Sequence, residues 1–72
     1  MTVGKALKII RQRRELSRYE LCRLMGYDNE ESGVRRIGKV ERDEQSPTFR
    51  TLERHLRACD SNLTELAEVF NW

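Results

Sequence analysis

The chain is predicted to be all-α, a compact bundle of about five short helices. Two observations lead there. Apolar residues recur at 3–4 spacing in five segments, and the breaks between segments carry helix-capping and turn residues. No stretch alternates apolar and polar residues as a half-buried strand would. The 72 residues are expected to form a single domain, 1–72.

The first helix is expected over Val3 to Glu15, with Thr2 as its N-cap. Ala6, Leu7, Ile9 and Ile10 form its apolar stripe. Arg13 and Arg14 fall in its last turn, where cations suit the negative end of the helix dipole. The second helix opens at Ser17. Ser17 and Glu20 spell a capping box, and Leu16 can staple onto Leu21. Leu21, Leu24 and Met25 are expected to face the core, with Cys22 packed at a close helix crossing. Gly26 ends the helix, because glycine takes the left-handed conformation without steric cost.

A polar loop, Tyr27 to Asn29, leads to a third helix over roughly Glu30 to Arg42. Asn29 is the preferred N-cap, with Ser32-Gly33 as the alternative start. Val34, Ile37 and Val40 point inward. Pro47 blocks helical continuation, and Thr48 caps a fourth helix over Phe49 to Cys59. Its apolar set is Phe49, Leu52, Leu56 and Cys59, with His55 expected at the boundary as a partly buried surface residue. Asn62 opens a fifth helix over Leu63 to Phe70. Val69, Phe70 and Trp72 form an apolar end that could either serve as a dimer surface or fold back onto the first helix.

Composition narrows the function. Residues 1–36 carry nine Lys/Arg against five acids, whereas 37–72 carry five against seven, which suits an anionic partner on one side. No run approaches the ~18 apolar residues of a membrane span, and no signal-peptide pattern is present. A cytoplasmic location is expected, in a prokaryotic cell or a phage-infected host. Cys22 and Cys59 lack metal-ligand spacing and are expected to be reduced and buried. With one histidine and no clustered carboxylates, the chain holds no constellation for acid–base, nucleophilic or metal chemistry. No enzyme activity, cofactor, metal or small-molecule ligand is expected.

Two short helices around Gly26, the second basic on its free face, read as a helix-turn-helix. Ser32, Arg35, Arg36 and Lys39 recur opposite the core face of the third helix. A helix fits the major groove of double-stranded DNA, where arginine bonds guanine O6 and N7 with two parallel donors. These four are the candidate base-reading residues. Ser17, Arg18, Ser46, Thr48 and Arg50 are the candidate phosphate contacts. The acidic Asp43-Glu44 must then point away from the phosphates.

LSRYELCRLMG followed by KVERDEQSPTFRTLERHLRACD resembles the Cro and phage-repressor type helix-turn-helix family over about residues 4 to 66. The resemblance implies a small five-helix, lambda-repressor-like fold. It further implies a transcription regulator, here read as a repressor, that binds operator DNA, commonly as a homodimer. It places the family's helix-1 arginine and helix-3 glutamate on Arg11 and Glu41, which should form a structural ion pair. It places the family's polar phosphate-contacting residue on Arg18, and its helix-2 alanine on Cys22. Two departures stand out. The family separates turn glycine and glutamate by about ten residues, whereas Gly26 and Glu41 are fifteen apart. Asp43 stands where the family has glycine.

Overall fold

The computed structural model of the chain describes residues 1–71. Five helices follow in order: α1 (Val3–Arg13), α2 (Arg18–Met25), α3 (Glu30–Glu41), α4 (Phe49–Ala58) and α5 (Leu63–Phe70). α2 packs on α3 and on α4, while α1 packs on α3 and on α5. Each expected helix is present, and its ends agree with expectation to within two residues.

Local chemistry explains the boundaries. The hydroxyls of Thr2, Ser17 and Thr48 and the side-chain oxygens of Asn29 and Asn62 each accept a hydrogen bond from a backbone N–H in the first turn that follows. At Ser17 the box is reciprocal: Glu20 N–H donates to Ser17 Oγ at 3.0 Å, and Ser17 N–H donates to Glu20 Oε1 at 2.9 Å. Gly26 closes α2 at φ +80°.

The core is built from Leu7 and Ile10 of α1, Leu21 and Met25 of α2, Ile37 and Val40 of α3, Leu56 of α4, and Leu66 and Val69 of α5. Truncating a fully buried residue such as Leu7 to alanine costs about 2–5 kcal/mol, a large share of the stability of so small a domain. Cys22 and Cys59 are free and buried, as expected. Burial pushes the Cys59 thiol up to about 11.

Two close approaches fix α3. A Cβ on Gly33 would collide with Cys22 Sγ of α2 and would stand 2.8 Å from Tyr27 Cγ. This is the tight crossing that the small side chain at 22 implied. A Cβ on Gly4 of α1 would collide with the carbonyl oxygen of Val40. Beside that contact, Asp43 takes the left-handed conformation at φ +62°. Its carboxylate accepts from Thr2 Oγ1 at 2.6 Å and from Gly4 N–H at 3.3 Å. Aspartate tolerates this conformation better than most side chains. Those bonds to the start of α1 explain how it stands in place of a glycine.

Several placements differ from expectation. Leu24 is 59% exposed, because α2 buries Leu21, Cys22 and Met25, and Leu24 lies roughly a quarter turn round from that face. Phe49, the first residue of α4, is 69% exposed and stands outside the core. His55 is 3% exposed, not a surface residue. It fits the 3–4 spacing of Leu52 and Cys59 as well as Leu56 does, so it turns inward with them. Val69 is 2% exposed and belongs to the core, with α5 folded onto α1. It therefore offers no dimer surface. Phe70 is partly buried against the same core, and Trp72 lies outside the described residues. Arg13 and Arg14 do more than complement a dipole: both pair with Glu65 and tie α1 to α5.

Candidate nucleic-acid interface

α3 is anchored at one end and presented along one face. The anchor is Glu41. Its buried carboxylate accepts from Arg11 Nε at 2.6 Å and Arg11 Nη2 at 3.1 Å, a two-pronged pair joining α1 to the end of α3. Arg11 Nη1 also donates to the carbonyl of Leu16 at 2.8 Å, holding the α1–α2 connector. The expected Arg11–Glu41 pair is thus formed, and a third partner joins it. Arg18 Nε donates to Glu41 Oε1 at 2.9 Å. Burial alone would raise the Glu41 pKa; hydrogen bonds from Arg11 and then Arg18 outweigh it and hold the carboxyl below its usual range.

His55 sits beside this cluster. Burial pushes its pKa down to about 4; the nearby Glu41 opposes the shift and Arg11 reinforces it. Its Nε2 has no hydrogen-bond partner among the described residues. The ring is a neutral packing group at ordinary pH, unsuited to proton transfer.

The presented face carries Ser32, Arg35, Arg36 and Lys39, all exposed. The structure brings these four together along one open cleft of about 330 Å³, with Tyr27 and Gln45 as further lining. Neither Tyr27 nor Gln45 follows from helical spacing, since both come from connectors flanking α3. The adjacency of Tyr27 to Gly26 is the one signal that could have pointed to it. Arg35, Arg36 and Lys39 have no acidic partner among the described residues. Their donors are therefore available to an external acceptor.

Three of the acids nearby are engaged, while Asp28 and Glu31 have no cationic partner among the described residues. Asp43 is turned to the start of α1, and Glu44 accepts from Arg42 Nε at 2.6 Å. Neither is left to face the cleft unpaired. Glu30, in the first turn of α3, pairs with Arg23 at 3.4 Å.

The candidate phosphate contacts are more dispersed. The Ser17 backbone N–H and hydroxyl are both engaged in the capping box, which leaves the N–H groups of Arg18 and Tyr19 at the head of α2. Arg18 commits Nε to Glu41 and keeps its two terminal nitrogens. The Thr48 hydroxyl caps α4 and donates to Thr51 Oγ1 at 2.9 Å, so its side chain is occupied. Ser46 and Arg50 are exposed, and Arg50 has no acidic partner among the described residues. Gln45 lines both the α3 cleft and the neighbouring cleft that contains Ser46, so the α3–α4 connector runs beside the presented face.

Most of the residues between Gly26 and Glu41 are helix. α3 begins at Glu30, eleven residues before Glu41, which already exceeds the about ten of the family pattern. The first turn of this helix bears Glu30, Glu31 and Ser32.

No described helix is long and apolar enough to cross a membrane. Among the described residues no group of three or more His, Cys, Asp or Glu is placed to hold a metal ion. Comparison with curated proteins and with solved structures gave no match. The helix-turn-helix family profile matches residues 7–66, most of the chain and all of α2 and α3. The chain belongs to the Cro/repressor-type helix-turn-helix family, whose members are DNA-binding regulators.

Proposed function

We propose that the chain is a sequence-specific transcription regulator that lays α3 in the major groove of operator DNA and acts as a repressor. The observation that carries this reading is the unpaired cationic face Arg35, Arg36 and Lys39, on a helix whose opposite side is locked into the core. Arg35 and Arg36 read guanine edges, each good two-donor pair being worth about 1–3 kcal/mol of discrimination. Ser32 and Lys39 complete the reading set. Arg18, Arg50, Ser46 and the free N–H groups at the head of α2 contact phosphates and set the register. Repression needs only that a bound protein occupy the promoter, and it is the role assigned here. Two copies on a palindrome, with half-sites about one DNA turn apart, complete the arrangement.

The acidic first turn of α3 favours a second reading, a protein-interaction module that keeps the fold without specific DNA binding. Glu31 would lie near phosphates with no cation to neutralise it among the described residues.

Selection of bound duplexes from a random DNA pool tests the two together. The proposal expects a recovered motif with guanines under α3. It also expects affinity that falls steeply with salt. Recovery of no motif, together with a shallow salt slope, favours the interaction module.

A further inference from the structure

We propose that the outer face of α4 is a docking surface for an acidic amphipathic helix from a partner protein. Phe49, Glu53 and Arg57 form a ridge along α4, four residues apart and all exposed. A groove runs on each side. One lies between the ridge and the end of α2, lined by Leu24, Ala58, Arg50 and Arg54. The other lies between the ridge and the start of α5, lined by Leu52, Leu56 and Leu63. Leu24 at 59%, Phe49 at 69% and Leu63 at 55% are three of the largest apolar side chains left in solvent. Here they gather round one face, where isolated exposed residues would need no explanation.

Charge decides the occupant. The acid on the ridge, Glu53, is tied to Arg57 at 3.0 Å. Arg54 has no acidic partner among the described residues, so the first groove is apolar at its wall and cationic at its rim. A helix with apolar residues at 3–4 spacing and carboxylates beside them satisfies both. A second copy on a twofold axis would set this cationic rim against itself, with Glu53 already engaged, at a cost from like-charge opposition. A duplex would gain from the arginines and leave Leu24 and Leu63 without contact. These grooves share no lining residue with the α3 cleft, and the partner and DNA meet only at Arg50, which lines the first groove and is also a phosphate contact in the reading above.

A random-peptide display library panned on the full chain tests this. The expected result is an enriched set of peptides with apolar residues at 3–4 spacing and interleaved acids. Their affinity should fall about tenfold or more in Phe49→Ser. Arg54→Glu should turn the preference toward basic peptides. Leu24→Ser serves as a second apolar variant. All three positions are exposed, so melting temperatures should match the parent and separate lost binding from lost fold. The proposal is overturned by no enrichment, or by peptides indifferent to Phe49→Ser and Arg54→Glu. A concentration-dependent dimer that Phe49→Ser abolishes would overturn it too, since the face would then belong to a second copy.

Discussion

Arginine is used in two opposite ways at the two sides of α3. At its inner end, Arg11 closes on one buried carboxylate, Arg18 adds its Nε, and these bonds hold three helices together. On its outer face, Arg35 and Arg36 meet no carboxylate and keep their donors for an outside acceptor. The side chains are chemically identical, so placement alone separates scaffold from contact. A paired and buried arginine is costly to disturb because its partner is left as an uncompensated charge. An exposed arginine is nearly neutral for stability and decisive for a ligand.

The largest expected effect therefore comes from the inner end. Glu41→Gln leaves Arg11 buried without its counter-charge and should cost about 3–5 kcal/mol, which thermal unfolding by circular dichroism would register as loss of most of the folded state at 37 °C. An unchanged melting temperature would mean the two sides of α3 do not differ as described. Replacing Arg35 and Arg36 together with alanine should do the reverse. Stability should stay within about 0.5 kcal/mol, while selective DNA binding falls by about 30-fold or more in a gel-shift titration.

Acid should expose the histidine beside the anchor. The His55 pKa is depressed to about 4 in the folded protein, against an ordinary 6.5 when unfolded. The unfolded chain thus takes up the proton first. Stability is full above pH 6.5 and falls as pH drops toward 4, by about 3 kcal/mol in total. His55→Leu should flatten urea-unfolding stability between pH 6.5 and 4.5, leaving the lower window in which Glu41 and the paired carboxyls of Glu20, Glu44 and Glu65 protonate. Gly33→Ala should cost about 1–3 kcal/mol through collision with Cys22 and Tyr27. The smallest effect expected is on salt. Arg18→Ala should reduce the salt slope of binding by about one, reporting a single lost phosphate contact.

The sequence revealed what is local. Caps at Thr2, Ser17, Asn29, Thr48 and Asn62 act within three residues, so the helices could be placed before any packing was known. The α3 face was legible for the same reason, since one helix carries all four of its residues. What escaped was non-local or ambiguous in phase. Tyr27 and Gln45 reach the cleft from different connectors. Arg18 finds Glu41 across 23 residues, and Arg14 finds Glu65 across 51. His55 was hidden by its type, because a polar residue on a buried spacing reads as surface. Val69 and Leu24 show that apolar character does not say which of two available faces is covered.

Gripping a rod at both ends prevents it from rolling. α3 is held at Gly33, whose bare backbone takes the side chains of Cys22 and Tyr27, and at the Val40 carbonyl, which meets Gly4 with no side chain between. The angle at which its outer residues are aimed is thus set by two glycines that leave no room for a Cβ. Changes of DNA target should then arise by exchanging those outer residues in place, and hardly at all by tilting the helix that bears them.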